Sequence, residues 1–236
     1  MAVTVEAVSG SRLLSYADGV RSVYVDAFGG APWDEGPEHA DGYLRRLAAD
    51  VTRPGFTAAL ALDGDTVLGW ATAWTTPSPF PTSRCYPQIA AALGEERTAA
   101  WLCGGREVDE LAVSSRARGT GVGTGLLDAV TEDRADGRCW LLTSVAAEEA
   151  RAFYGRAGWT PVTRPAAAGT GLAVHLGPRH PDRAAAPRPL WAPRTEQHPP
   201  CVPPTSASAS WTSSPHAGTP PYPVPRCPPR TRRCCS

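Results

Sequence analysis

The sequence predicts an α/β fold built on a mixed, mostly antiparallel β-sheet, with one parallel βαβ unit and helices on both faces. In several short segments apolar and polar residues alternate, which is typical of strands. Between these segments, apolar residues recur every three or four positions, as they do in amphipathic helices. One strand–helix–strand run, from Arg106 to Val145, contains no hairpin turn, and such a crossover joins parallel strands.

The N-terminal half is predicted to fold as strand, helix, helix and hairpin. Ser11 is the expected N-cap of the first helix, and Gly29 and Gly30 end it. The hairpin turns at Asp63-Gly64-Asp65. The predicted elements are a strand at Val3–Val8, a helix from Ser11 to Phe28, a helix carrying Tyr43, Leu44, Leu47 and Val51, and strands at Phe56–Leu62 and Thr66–Trp74.

The C-terminal half is predicted to hold the crossover and to close the sheet. A proline-containing insertion, Thr75–Gly105, comes first and has a short helix at Ile89–Arg97. After it we expect a strand at Arg106–Val113, a helix with Val122, Leu126, Leu127 and Val130 inward, a strand at Cys139–Val145, a helix at Glu148–Ala157, and closing strands at Trp159–Thr163 and Leu172–Leu176.

Composition divides the chain into two parts. Residues 1–178 carry a net charge of −6 and are long enough for one domain with a core. Residues 179–236 hold 15 prolines, eight arginines and two acids, for a net charge of +6. We expect this tail to be disordered, because it has few aliphatic residues to bury. Since the chain contains no Lys and no Asn, its gene is GC-rich, and a frameshift in such a gene would also give this tail.

Several function classes are disfavoured. No segment has the roughly 20 apolar residues of a membrane span, and no CxxC pair suggests zinc or a disulfide framework. His39 and His175 lack partners at metal-ligand spacing, so we expect no metal. Because the predicted domain is acidic, we also expect no nucleic-acid partner. The chain is predicted to be cytoplasmic, with a homodimer as a candidate assembly.

The segment RARGTGVGTGLL places four glycines at alternate positions just before a predicted helix. The first turn of a helix leaves backbone N–H groups unpaired, and these groups together with the helix dipole attract anions. Glycine leaves the backbone open to close approach by such a ligand. We therefore expect a phosphate group at this turn.

Two common phosphate-binding motifs do not fit this turn. A P-loop requires GxxxxGK[ST], and the chain has no lysine. The dinucleotide motif GxGxxG fails as well, since Thr124 or Leu126 occupies the position of its last glycine.

The segment LAVSSRARGTGVGTGLL instead resembles the acetyl-CoA-binding motif [QR]-x-x-G-x-[GA] of the GCN5-related N-acetyltransferase (GNAT) superfamily, with Arg118, Gly121 and Gly123 at the motif positions. The downstream segment CWLLTSVAAEEARAFYGRAGW is similar to the family's next strand and helix. The resemblance covers about residues 3–177. It departs at Ala147, where many relatives have an asparagine that contacts the cofactor.

The resemblance implies acetyl-CoA as a co-substrate and a splay between the fourth and fifth strands. The backbone of Leu111, Ala112 and Val113 would bind the pantetheine arm. The diphosphate would be bound by Arg118, Gly119, Thr120, Gly121, Val122, Gly123 and Thr124, mostly through their N–H groups.

The implied reaction is direct attack of an amine on the thioester. An ammonium with a pKa of about 10.4 must first lose a proton, which costs roughly 4–5 kcal/mol at neutral pH. Among Glu107, Asp109 and Glu110, strand alternation places Glu110 on the face opposite the other two, and we choose Glu110 as the base. The resemblance makes Tyr154 the acid that protonates the thiolate. No cysteine is expected at the acyl site, so direct attack is favoured over a covalent intermediate.

The acceptor is expected to be the primary amine of a small molecule. Trp33, Asp34 and Glu35 would form an acidic rim beside an aromatic ring, suited to a cationic amine such as an aminoglycoside or a polyamine. Two alternatives remain open at this point: a protein or peptide N-terminal acetyltransferase, and a non-catalytic acyl-CoA-binding module.

Overall fold

The computed structural model describes residues 3–163 and 171–185, which form a seven-stranded sheet. Across the sheet the strands lie in the order β1-β2-β3-β4-β5-β7-β6. Only β4 and β5 are parallel; the other neighbouring pairs are antiparallel. The strands are β1 (Thr4–Val8), β2 (Thr57–Asp63), β3 (Thr66–Thr75), β4 (Arg106–Val113), β5 (Cys139–Ser144), β6 (Thr160–Pro161) and β7 (Leu172–Leu176).

Seven helices connect the strands of the described chain: α1 (Gly10–Ser15), α2 (Ala17–Phe28), α3 (Pro37–Asp50), α4 (Tyr86–Leu93), α5 (Glu95–Arg97), α6 (Val122–Ala129) and α7 (Glu148–Arg156). The single helix predicted from Ser11 to Phe28 is divided into α1 and α2. Its cap is Ser9, not Ser11, because the Ser9 hydroxyl accepts a hydrogen bond from the Arg12 N–H at 3.2 Å. The break falls at Tyr16, which has φ −103° and ψ 22°.

Helices cover both faces of the sheet, as predicted. Successive residues of β2 point to opposite faces: Ala59 and Ala61 belong to the core under α6 and α7, whereas Leu60 belongs to the core under α1, α2 and α3. On the second face the Tyr43 ring of α3 stacks on Trp70 of β3, with 4.7 Å between centroids. The sheet is therefore buried on both sides in its centre.

The Thr75–Gly105 insertion is a packed part of the domain. Its helix begins at Tyr86, three residues before the predicted Ile89, and ends at Gly94, which has φ +83°. A π-helical turn follows α5 at Thr98–Leu102. Side chains of the insertion form a third core cluster with β5 and β7, in which Trp140 is fully buried and donates a 2.7 Å hydrogen bond to Thr76 Oγ1.

Contacts of the domain continue past residue 178. Arg179 Nη2 donates to the Thr131 carbonyl at 2.8 Å, and Arg183 Nε donates to Thr160 Oγ1 at 2.7 Å. His180 is buried, and its Nε2 lies 3.0 Å from the Trp101 carbonyl oxygen. The predicted tail thus begins with residues that pack on the domain, and the remainder of it, residues 186–236, lies outside the described residues.

Candidate active site

The fourth and fifth strands separate after a short stretch of pairing. Residues Arg106–Val108 of β4 pair with Cys139–Leu141 of β5, and beyond these residues the two strands diverge. The rest of β5, through Ser144, pairs with β7, while β4 continues to Val113 along β3. The edge of β4 that faced β5 is therefore open from Asp109 onward. The predicted splay is confirmed.

The glycine-rich turn lies where β4 ends and α6 begins. Gly119 has φ +75° and Gly121 has φ +90°, conformations that favour glycine. A Cβ atom added to either residue would have no neighbour within 4 Å, so both positions face open space. Gly121 caps α6, and its carbonyl accepts the first backbone hydrogen bond of the helix, from Gly125 at 3.0 Å. The exposed first turn of α6 is thus accessible to an anion.

The other two glycines of the turn have a packing role. A Cβ at Gly123 would lie 3.3 Å from the Phe153 ring of α7, and one at Gly125 would lie 3.3 Å from Val5 of β1. The expectation that all four glycines admit a ligand is therefore wrong for Gly125, which lets α6 approach the sheet.

Asp26 of α2 anchors the start of this turn, a role that the sequence did not indicate. Its Oδ2 accepts hydrogen bonds from Ser114 Oγ at 2.8 Å, from the Ser115 N–H at 2.7 Å and from Ser115 Oγ at 3.1 Å. Burial raises the pKa of Asp26, but these hydrogen bonds outweigh burial and hold the pKa below its usual value of 3.8. No local pattern could reveal this contact, because the partners are 88 and 89 positions apart.

A cavity of about 120 Å³ lies between the splayed strands. Its described lining comes from β4, β5 and β7, from α2 and the loop after it, from α7, and from the insertion. Among the residues that line it are the predicted catalytic pair, Glu110 and Tyr154, together with Trp33 and Leu111. The structure thus brings distant parts of the chain to one site.

The acids of β4 do not alternate between faces as predicted. The β3–β4 register pairs Thr72 with Glu110 and Ala73 with Val108, which leaves Asp109 as an extra residue in a β-bulge. Glu107, Asp109 and Glu110 all line the same cavity. Placing Glu110 on the opposite face was therefore wrong, because one inserted residue breaks the period of two.

Glu107 is a buried carboxyl group with its own hydrogen-bond donors. Tyr86 Oη donates to its two oxygens at 3.0 and 2.9 Å, and Trp74 Nε1 donates to Oε2 at 3.2 Å. Burial, followed by the nearby charge of Asp109, raises the pKa of Glu107 from 4.5 to about 8. A carboxyl group with this pKa exchanges a proton near neutral pH, which makes Glu107 a second candidate for acid–base chemistry.

Arginines neutralise the other two acids. Arg84 of the insertion donates from Nη2 to Asp109 Oδ1 at 3.1 Å. Nη2 of Arg46, on α3, lies 3.8 Å from Glu110 Oε1 and 4.0 Å from Asp109 Oδ2. Neither arginine was predicted as a site residue, because each lies far from β4 in the sequence and no motif marks it.

Tyr154 is the residue predicted to protonate the leaving thiolate. It is largely buried on α7 and lines the cavity. The ring of His175 lies 6.1 Å away between centroids, and burial lowers the pKa of His175 to about 4. That imidazole is therefore neutral at physiological pH and adds no charge beside Tyr154.

The predicted acidic rim has a different arrangement. Trp33 lines the cavity and packs edge-on against Phe28, with 5.9 Å between centroids. Asp34 is exposed. Glu35 is buried, and Tyr24 Oη donates to its Oε2 at 2.5 Å. Glu35 is therefore part of the protein interior, whereas the expectation placed it on a solvent-facing rim.

Cys85 also lines the cavity, contrary to the expectation that no cysteine lies near the acyl site. No sequence pattern indicated this position, since Cys85 belongs to the insertion and reaches the site through the packing of α4. Within residues 3–163 and 171–185, no group of three or more His, Cys, Asp or Glu side chains could hold a metal ion. No helix in those same ranges is long and apolar enough to cross a bilayer.

Comparisons with known proteins agree with this geometry. Residues 87–161 match the family model of the acetyltransferase (GNAT) domain. A GNAT-family protein from Desulfovibrio desulfuricans has a crystal structure similar to this chain, with a TM-score of 0.51 and 23% identity over 74% of this chain and 96% of the other. PH1933 from Pyrococcus horikoshii OT3 is similar as well, with a TM-score of 0.52 and 14% identity over 75% and 98% of the two chains.

The matched segment contains the two features that define the candidate site, the splayed strands and the glycine-rich turn. The two crystal structures share the surrounding fold. No curated protein sequence matches the chain significantly. Residues 87–161, which contain these two features, are thus similar to the acetyltransferase (GNAT) domain.

Proposed function

We propose that the protein transfers an acetyl group from acetyl-CoA to a primary amine of a small molecule, by direct attack in a ternary complex. The observation that carries the proposal is the combination of an open β4 edge, an accessible helix N-terminus at Gly121, and a cavity between them that holds candidate acid–base residues. An acyl-CoA has a matching order of parts: a diphosphate, an amide-bearing arm and a thioester.

In this proposal the cofactor is bound mainly by the backbone. Leu111, Ala112 and Val113 offer the peptide groups of the open β4 edge to the amides of the pantetheine arm. The N–H groups of Arg118 to Thr124 surround the diphosphate, and the exposed Arg118 adds a positive charge. The described turn can accommodate this group, because the space beside Gly119 and Gly121 is open.

A β4 carboxylate removes the proton from the incoming ammonium. We retain Glu110 as the base, because it lies in the cavity beside Arg46. Glu107 is the competing candidate, because its pKa of about 8 lies closer to the operating pH. The amine nitrogen then attacks the thioester carbon, the C–N bond forms, and a backbone N–H of β4 stabilises the oxyanion. The nitrogen, now positively charged, releases its second proton to solvent before the neutral amide forms.

The reaction ends when the C–S bond breaks and the CoA sulfur takes a proton. Tyr154 donates that proton in our proposal, since its side chain lines the cavity from α7. Cys85 is a neighbour and not a carrier: we expect Cys85→Ala to keep the release of CoA within about twofold of wild type. If Cys85 carried the acyl group covalently, Cys85→Ala would abolish the release of CoA.

Release of free CoA thiol from acetyl-CoA in the presence of a panel of amines tests the proposal. Binding of acetyl-CoA is measured separately by calorimetry. We expect binding, and amine-dependent release that falls at least roughly tenfold in Glu110→Gln or in Glu107→Gln, whichever residue is the base. Tight binding of acetyl-CoA without release for any amine would indicate an acyl-CoA-binding module, and the proposal would be wrong.

A further inference from the structure

Resting on this proposed function, we infer that the acceptor is a compact amine with a single positive charge and an apolar body. Polyamines, aminoglycosides and amino acids would then be poor acceptors. The inference comes from the charge pairing and the wall composition of the cavity between β4 and β5.

The first argument is that the acids of the described cavity wall already have partners. Asp109 is bonded to Arg84 at 3.1 Å and lies 4.0 Å from Arg46, and Glu110 lies 3.8 Å from the same arginine. Glu107 accepts hydrogen bonds from Tyr86 and Trp74. An ammonium held away from water needs a charged partner, and a second one would have to displace an arginine.

A negatively charged carboxylate on the acceptor would also lack an unpaired partner of opposite charge. The two arginines that could receive it, Arg46 and Arg84, face Asp109 and Glu110. Asp50 also lies 3.6 Å from Arg46, which surrounds that guanidinium with acids. A bound carboxylate would therefore be close to at least two like charges.

Apart from these acids and Arg84, the described lining of the cavity carries no charge, and much of it is apolar. Phe28 and Trp33 contribute two aromatic rings from one side of the cavity. Leu142 and Leu172 contribute aliphatic surface from β5 and β7, and Ala150 does so from α7. Removal of this surface from water would stabilise a bound hydrocarbon body. The hydroxyl groups of Thr143 and Ser144 also line the cavity but carry no charge, so a second charged group of the acceptor would find no countercharge there; the cavity is also small, about 120 Å³.

Three amines with five carbons each test the inference: n-pentylamine, 1,5-diaminopentane and 5-aminopentanoate. They differ at the end distant from the reacting amine, where the fifth carbon is a methyl group, a methylene group that carries a second ammonium, or a carboxylate. We expect kcat/KM of CoA release to be at least roughly tenfold higher for n-pentylamine than for either of the others. A preference for 1,5-diaminopentane or 5-aminopentanoate, or equal rates for all three, would overturn the inference and leave the proposed acetyl transfer intact.

Arg84→Gln gives an independent check on the charge argument. Without Arg84, Asp109 keeps only the 4.0 Å contact with Arg46, so it becomes available to a second ammonium. We expect the ratio of kcat/KM for 1,5-diaminopentane to that for n-pentylamine to rise at least roughly fivefold. Arg97→Gln, an exposed arginine of the same insertion, should leave the ratio unchanged. An unchanged ratio in folded Arg84→Gln, as judged by its thermal unfolding and its acetyl-CoA binding, would contradict the inference.

If none of the three amines, nor any other in the wider panel, releases CoA, the proposed function itself fails. That result is distinct from a wrong order among active amines. The two conclusions can therefore be overturned separately.

Discussion

Asp26 accepts a 2.7 Å hydrogen bond from the backbone N–H of Ser115, 89 positions further along the chain. The contact joins α2 to the segment between β4 and the glycine-rich turn. Two residues after Asp26, Phe28 lines the cavity. One carboxylate thus fixes the helix that carries part of the acceptor wall relative to the proposed diphosphate loop.

Asp26→Ala should weaken both the fold and the cofactor site. Loss of three hydrogen bonds at an exposed position is expected to lower the free energy of unfolding by about 1 kcal/mol, measured in urea. The Kd for acetyl-CoA should rise about threefold or more, because the start of the loop is no longer held. Asp18→Ala, an exposed acid of the same helix, is the control and should change neither quantity. An unaltered Kd in Asp26→Ala would show that this anchor does not position the loop.

The stability that Asp26 contributes through its contact with Ser115 should depend on pH. Because the folded-state pKa of Asp26 is below 3.8, its ionised form stabilises the fold above about pH 4. This contribution is lost as the pH falls through the lowered pKa. The stability difference between wild type and Asp26→Ala should therefore shrink below pH 4.

Thr124→Glu tests the anion site with little risk to the fold. Thr124 is exposed in the first turn of α6, where an acidic side chain interacts favourably with the helix dipole. The new carboxylate would repel a diphosphate, so we expect the Kd for acetyl-CoA to rise at least roughly tenfold while thermal stability is kept or increased. Thr124→Gln has almost the same shape without the charge and should bind normally. Equal affinities of the two variants would argue that the diphosphate lies elsewhere.

Glu107 should make the protein less stable as the pH rises. Its pKa is 4.5 in its usual state and about 8 in the folded chain, so the folded state binds the proton more tightly between these values. Stability should fall over that range by on the order of 5 kcal/mol, since one pKa unit corresponds to about 1.4 kcal/mol. We expect this loss of stability to be absent in Glu107→Gln and to remain in the control Glu95→Gln, because Glu95 is exposed. Parallel stability–pH curves for wild type and Glu107→Gln would contradict the raised pKa.

Tyr154→Phe should slow the chemical step with little effect on binding. Removing one hydroxyl from the proposed acid is expected to lower kcat at least roughly tenfold. The KM for acetyl-CoA should stay within about twofold. Tyr16→Phe, at the junction of α1 and α2, is the matched control and should keep full activity. An unchanged kcat in Tyr154→Phe would remove this residue from the mechanism.

The domain boundary can be tested by truncation. A chain ending at Ala185 retains the contacts of Arg179, His180 and Arg183, and we expect it to be as stable and active as the full chain. A chain ending at Pro178 loses these contacts and should unfold about 1–3 kcal/mol more easily. Loss of activity in the longer truncated chain would show that residues 186–236 have a function.

Much of the fold follows from local patterns. The β2–β3 hairpin, the βαβ unit and the glycine-rich turn join elements that are consecutive in the sequence, and the residue spacing within each element is enough to predict them. The positions of Glu110 and Tyr154 in one cavity follow as well, because the motifs around them resemble a family in which these elements meet. The predicted helix from Ser11 to Phe28 shows the limit, since helical spacing continues through the break at Tyr16.

The sequence by itself determined the order of the strands and the open backbone at Gly119 and Gly121, and it predicted the class of cofactor. Only the tertiary structure decided which charges meet. Because of the bulge at Asp109, three carboxyl groups of β4 line the same cavity. Arg46 of α3 and Arg84 of the insertion lie close to two of them. The physical reason is the distance in sequence over which each property is set. Backbone conformation depends on neighbouring residues, whereas burial and ion pairing depend on which distant segments the core brings into contact.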